Sequence, residues 1–330
     1  MKHIIVGGDG FVGRYIAKEL LTRGEQVFIC DIQKSPIPIY DKATFQHVDI
    51  TNINAVRSVP FEPNDIVYNV AARMLHPVVK RKERHEYFFS VDYEGAKNVA
   101  DIAMERGCNR LIQFSTDMVY GKLQTDPPIK TDHPRKPIGE YSDSKRAIED
   151  YCIARRADGL NVSIFRPRLI IGPARLGVLK KLFRFIRYSL PIPMFGKGNN
   201  HYQMISVFDC ASAAIQSADK GVVNGEFNLG SENPPTVKDL LKLVIKKAGS
   251  RSLLIPMPAG MIKSVLRGLD AINLSVMVPE QYEVADLDYI VDIESTKKML
   301  DWKPAYSDQD MFFQAYDDYI NGRKSSSRFT

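Results

Sequence analysis

The chain has no run of about 18 apolar residues such as a membrane-crossing helix needs, so no span is expected. Cysteine is scarce: Cys30, Cys108, Cys152 and Cys210 lie far apart and form no Cys-x-x-Cys pair. They read as reduced thiols in a cytoplasmic protein. The six histidines show no metal-ligand spacing, so no metal is expected. Low-complexity tracts and internal repeats are missing. An apolar strand begins almost at Met1, which leaves no room for a signal peptide. Charge of one sign is modest, a net +6, bunched at 80–84 and again at Lys180, Lys181, Arg184 and Arg187. No nucleic-acid motif accompanies these runs, so nucleic acid is not an expected partner.

What is present is 330 residues, 44% hydrophobic and 25% charged, enough for one large core or two smaller ones. Strand and helix signals alternate. Strands are expected at His3–Val6, Gln26–Cys30, Ala43–Val48, Asp65–Val70, Arg110–Phe114 and Asn161–Phe165. The longest intervening helix runs from about Glu83 to Arg106. This order predicts an α/β fold, a Rossmann-type doubly wound parallel sheet with helices on both faces. Residues 1–172 form the nucleotide-binding domain, and 173–330 a smaller, mostly helical substrate domain with one strand near 226–230 returning to the sheet. A basic amphipathic helix over about Leu176–Leu190 should border the substrate cleft, and 325–330 reads as a disordered end.

Between the first strand and its helix stands Gly7-Gly8-Asp9-Gly10-Phe11-Val12-Gly13. Glycines there allow a tight turn and let backbone approach a pyrophosphate resting on the helix N-terminus. Asp31 ends the second strand, 18 residues beyond Gly13, near the spacing of about 20 at which an acid holds a ribose diol. A carboxylate there repels a 2′-phosphate, so NAD is favoured over NADP.

Tyr141 and Lys145 stand four apart in a helix-forming run, hence on one helix face. A phenol has a free pKa of about 10, and a neighbouring ammonium favours the phenolate. Such a tyrosine can take a proton from an alcohol while a hydride leaves the same carbon. The spacing alone is weak, because Tyr93 and Lys97 repeat it.

These residues together resemble the extended short-chain dehydrogenase/reductase family, of the NAD-dependent epimerase/dehydratase type, over most of the chain. Gly7, Gly10 and Gly13 match its glycine turn, with Phe11 and Val12 between them. Asp49-Ile50 resembles its adenine-contacting pair and Val70-Ala71-Ala72 the strand end that lines the cofactor. Ser115-Thr116-Asp117-Met118 resembles its active-site segment, and Arg166-Pro167 a further landmark. The resemblance implies NAD bound also by Asp31, Ile32 and Ser115. It makes Tyr141 the acid/base, has Lys145 bind the nicotinamide ribose, and gives Thr116 a hydrogen bond to the reacting oxygen. Tyr141 comes after the strand that ends in Thr116, whereas Tyr93 precedes it and reads as accidental. Arg73, Asp117, Met118, Arg168, Leu169, Arg175 and Tyr202 are the substrate-side candidates. A homodimer is implied through the 83–106 and Tyr141 helices, with Val99, Ile102 and Ala103 left over as an apolar face.

Departures from the family carry information. Dehydratases place Asp-Glu after the Thr; here Met118 cannot act as a base, which argues against 4,6-dehydration. Leu169 stands where nucleotide-sugar epimerases usually carry Asn, Tyr202 where they carry a diphosphate-binding Arg, and no Arg lies near Pro279-Glu280-Gln281. Asp92 stands where many members have Asn. The leading expectation is an NAD-dependent oxidoreductase or epimerase acting on a secondary hydroxyl of a sugar, nucleotide-linked and so phosphate-bearing. The alternative is a dehydrogenase of a sterol-like or lipid-linked alcohol, with peripheral contact to an anionic membrane surface through the basic helix. A non-catalytic NAD sensor ranks last, since it has no need of Thr116, Tyr141 and Lys145.

Overall fold

Ile4, Ile5 and Val6 are β-branched and apolar on both strand faces, and they form β1 (His3–Val6) at the centre of a sheet covered on both sides. The structure is a computed structural model. It describes all residues except Met74, His76, Pro77, Ala174, Arg175, Val178 and 322–330, so the expected disordered end lies outside the described residues. After β1 come α1 (Phe11–Thr22), β2 (Val27–Asp31), β3 (Thr44–His47), α2 (Ile53–Arg57) and β4 (Ile66–Asn69). Next are α3 (Arg84–Phe88), α4 (Ala96–Glu105), β5 (Arg110–Phe114), α5 (Glu140–Arg155), β6 (Asn161–Pro167) and β7 (Leu169–Ile171). The remainder is α6 (Leu179–Arg187), β8 (Ile192–Phe195), β9 (Met204–Ser206), α7 (Val207–Asp219), β10 (Gly225–Leu229), α8 (Val237–Lys247) and β11 (Leu254–Met257). Helices α9 (Ala259–Ala271), α10 (Pro279–Tyr282), α11 (Glu294–Leu300) and α12 (Asp308–Asn321) complete it.

Seven strands form one parallel sheet in the order β10-β6-β5-β4-β1-β2-β3. The strand order reverses between β1 and β4, and such a switch point opens a ligand crevice at the strands' C-terminal ends. Side-chain alternation splits the core into two layers. Ile5, Tyr68 and Phe227 pack with Ile16 and Leu20 of α1 and Ala214 of α7. Ile4, Val67 and Val162 pack with Val99 and Ile102 of α4 and Ile148 of α5. Val99, Ile102 and Ala103 are therefore almost wholly buried within their own chain and are no spare apolar face, contrary to expectation.

The expected 83–106 helix is divided. A π-helical stretch, Phe89–Gly95, separates α3 from α4. π-turns inside helices occur frequently at functional sites, and this one contains Asp92. In the C-terminal half, Phe183 of α6 packs its ring against Phe312, Tyr316 and Tyr319 of α12. Leu300 and Trp302, at and just beyond the end of α11, return to the core beneath α1 and α7.

Candidate active site

The glycine turn offers a cradle that side chains would fill. Gly7 has φ +78°, and a Cβ there would sit 2.6 Å from the Ala71 backbone. At Gly13 a Cβ would meet the Gly7 carbonyl oxygen 2.5 Å away. Helix α1 begins with Gly10 as its N-cap, without a capping side chain or an acid in its first turn. Its amide end is thus open to an anion. Asp31 accepts the Asp9 N–H at 2.9 Å and the Gln33 N–H at 3.1 Å, which orients its carboxylate at the end of β2. Burial pushes its pKa up, against those two hydrogen bonds. Nearby, Arg14 is matched by Asp9 at 3.3 Å. These residues fit the dinucleotide that the sequence implied.

The expected cofactor set extends outward from this cradle. Ile32 is exposed just past β2. Phe11 and Val12 open α1. Asp49 spends its carboxylate on the Thr51 N–H and hydroxyl, at 2.9 and 2.8 Å. Ile50 is buried against Gly95. Val70, Ala71 and Ala72 lie just past β4, with Val70 N–H donating to the Val6 carbonyl at 3.0 Å. The buried Ser115 hydroxyl has no hydrogen-bond partner, as befits a group kept for a ligand. Arg166 is different. Its guanidinium donates to Glu149 at 2.7 Å, the Tyr120 hydroxyl at 2.9 Å and the Thr131 carbonyl at 2.7 Å. It braces β6 against α5, so any cofactor contact at Arg166-Pro167 falls to the backbone.

Lys145 is 2% exposed. Its ammonium lies 2.9 Å from Asp92 and donates to the carbonyl of Phe114, the last residue of β5, at 3.3 Å. One turn earlier on α5, Tyr141 is half-buried with its ring edge-to-face against Phe88 at 5.5 Å. Thr116 stands two residues past β5 and its Oγ1 accepts the Met118 N–H at 3.3 Å. Lys145 and Thr116 thus lie at the C-terminal end of β5, with Tyr141 one turn before Lys145 on α5. Tyr93 packs on Phe89, and Lys97 sits over the Tyr151 ring instead.

In the sequence Asp92 reads only as a departure from the family, and the structure shows its partners. It is fully buried, accepts the Arg73 N–H at 3.3 Å and faces Lys145. Burial drives its pKa up; Lys145 opposes that. Arg73 itself stacks on Tyr87.

Beside this cluster lies a cleft lined by Asp117, Met118, Ile138, Arg168, Tyr202, Glu280 and Tyr289. Arg168 forms a close ion pair with Asp117 and is sandwiched between the rings of Tyr202 and Tyr289, at 4.6 and 4.2 Å. Its Nη2 is buried without a partner. Leu169 lies on β7, paired with Met204. Arg175 lies outside the described residues. No described residue of α6 lines the cleft; Lys180, Lys181, Arg184 and Arg187 face solvent.

Sequence reasoning misses Glu280. Gly139 is the N-cap of α5 and has no side chain to cap it. Glu280, buried on α10, accepts the N–H groups of Tyr141 and Ser142 in its place. A Cβ at Gly139 would collide with that carboxylate. A glycine N-cap before the helix that carries Tyr141 is the sequence signal, and it does not name the distant partner.

A crevice at the switch point, an open helix end and a Tyr–Lys pair at the neighbouring strand end define an extended short-chain dehydrogenase/reductase. More narrowly, a model of the NAD dependent epimerase/dehydratase family matches residues 3–230, and the chain belongs to that family of enzymes, whose cofactor is NAD. It is 31% identical to the uncharacterized protein y4nG of Sinorhizobium fredii, over 98% of this chain and 79% of that one. It is 27% identical to a UDP-N-acetyl-alpha-D-glucosaminuronate decarboxylase of Bacillus cytotoxicus, over 77% of this chain and 83% of that one. The solved UDP-glucose 4-epimerase of Thermus thermophilus, in complex with NAD, superposes with a TM-score of 0.75 at 21% identity, covering 97% of this chain and 99% of that one. That likeness is one of fold.

Proposed function

We propose that this enzyme oxidises a secondary hydroxyl of a sugar carried on a nucleotide, as a dehydrogenase or as an epimerase that returns the hydride to the other face. The observation that carries this reading is Lys145, buried and anchored between Asp92 and the Phe114 carbonyl one turn from Tyr141. Bound NAD supplies the hydride acceptor. Tyr141 takes the hydroxyl proton, and the Lys145 ammonium favours its phenolate form. Thr116 donates a hydrogen bond to the reacting oxygen. Arg168 Nη2, unpartnered in the cleft wall, donates to a substrate oxygen. Met118 follows Asp117 where dehydratases of the family carry a glutamate, so 4,6-dehydration is not the reaction proposed. We place the protein in the cytoplasm and as a homodimer, without a nucleic-acid partner.

The second reading, a lipid-linked or sterol-like alcohol, is favoured by the cleft's charge. Arg168 is already matched by Asp117, and Tyr202 replaces an arginine, so no free cation among the described lining residues awaits a diphosphate. His201, next to Tyr202, is paired with Asp288. Purified protein should retain NAD and interconvert or oxidise a UDP-sugar, read by nucleotide extraction and product chromatography. Turnover of polyprenyl-linked or sterol alcohols with no UDP-sugar activity would replace the first reading with the second. NAD binding with no turnover of either would leave the sensor.

A further inference from the structure

Helix α9 has an unusual distribution of side chains. Its three charged residues all pair with other elements: Lys263 with Asp286 at 2.5 Å, Arg267 with Glu283 at 2.7 Å, and Asp270 with Arg84 at 2.5 Å. Leu266 is buried on that side. The opposite side carries Met261, Val265 and, at the helix end, Ile272, spaced i, i+4 and i+11 and so on one face. Leu274 and Val276, just past the helix, are exposed as well. These five are between 48% and 64% exposed. A contiguous apolar stripe of this kind on an otherwise charged protein marks an interaction surface.

The flank identifies the partner. Asn273, between Ile272 and Leu274, accepts the Arg81 N–H at 2.8 Å through its side chain. That bond seats Lys80, Arg81 and Lys82, all exposed, at the end of the stripe; the one acid in that run is Glu83. Large apolar residues beside clustered, exposed cations match the boundary of an anionic bilayer, where the stripe enters the acyl edge and the cations meet headgroups. Helix α6 carries as many cations, but Leu179, Phe183 and Ile186 are already buried against the domain core.

We infer that α9, its 272–276 extension and the Lys80–Lys82 run form a docking surface for an anionic lipid bilayer. The surface adjoins the cleft, because Arg267 holds Glu283, the residue directly after α10 and its cleft residue Glu280. A docked enzyme therefore presents its substrate side to the membrane. This last step rests on the proposed reaction; the docking itself does not.

The test is sedimentation of the full chain with vesicles of phosphatidylcholine containing a quarter phosphatidylglycerol, and with pure phosphatidylcholine vesicles. Binding is expected to the anionic vesicles only, and to weaken in high salt. Neutralising the run in a Lys80→Gln, Arg81→Gln, Lys82→Gln variant should weaken binding on the order of a hundredfold. Val265→Glu with Ile272→Glu should abolish it, with NAD binding retained as proof of folding. Failure of the wild type to bind, or unchanged binding in both variants, overturns the inference. So does a change of oligomeric state in the glutamate variant, read by light scattering, without loss of vesicle binding; the stripe would then be a contact between copies. Because vesicle binding needs no turnover, its failure is separate from failure of the proposed reaction.

Discussion

The sharpest residue-scale expectations concern the groups around Lys145. Tyr141→Phe removes only the proton-transferring oxygen, so turnover should fall on the order of a hundredfold or more while NAD affinity, measured by fluorescence titration, stays near wild type. Lys145→Ala should weaken both. Tyr93→Phe should do little; a larger loss there than at Tyr141 would place the chemistry on the other helix. Asp92 adds a second expectation, with a defined sign. Its carboxylate, 2.9 Å from Lys145, offsets part of the ammonium's pull on the Tyr141 phenolate. In Asp92→Asn that offset is gone, the phenolate is favoured more strongly, and the rising limb of oxidation rate against pH should move to lower pH. An unmoved limb would mean that Asp92 carries no charge in the working enzyme, or that Lys145 does not tune Tyr141.

At the scale of elements, legibility tracked how local the cause of each element is. Strands β1 to β6 were readable because each is a short apolar run bounded by turn residues, and their alternation with helices implies a parallel sheet. The short β7, β8 and β11 are held by pairings with distant segments, and nothing within their few residues announces them. The π-helical stretch escaped for a similar reason. A π-turn adds a residue to the coil and re-aims the side chains beyond it, so helix periodicity alone could not place Asp92 against Lys145. Tyr141 and Lys145 were legible because four-residue spacing on a regular helix is a local fact. The cap of that helix was not, since Glu280 comes from almost 140 residues away. Glu280→Ala should therefore destabilise the protein by about 1 kcal/mol, the usual worth of an N-cap, measured by chemical denaturation. It should also lower kcat by loosening the first turn, where Tyr141 sits, with NAD affinity little changed. Glu280→Gln keeps an acceptor oxygen and should recover most of both. Equal damage from Gln and Ala would show that charge, rather than hydrogen-bond geometry, is what α5 requires.

For the whole molecule the open question is assembly. The apolar residues that the sequence assigns to a dimer face, Val99, Ile102 and Ala103, are consumed by the chain's own core. What α4 and α5 still present outward is a mixed surface. Ala147, Tyr151 and Ala154 lie along one face of α5 at helical spacing, and Tyr151 and Ala147 are half-buried. The Tyr151 hydroxyl donates to Asp101, and Lys97 lies over its ring. Met104 is half-buried beside them. An aromatic ring with satisfied polar groups around it is the composition of a non-obligate interface more than of an obligate one. The homodimer implied by family resemblance should accordingly form reversibly, visible by light scattering at micromolar concentration and dissociating on dilution. Ala154→Arg, on the exposed end of that face, should shift the equilibrium toward monomer without lowering NAD affinity, because Ala154 sits near the C-terminal end of α5, more than three turns from Tyr141. A wild type that stays monomeric at micromolar concentration would remove the dimer, and a variant that loses NAD binding together with the dimer would show that the two are coupled through α5.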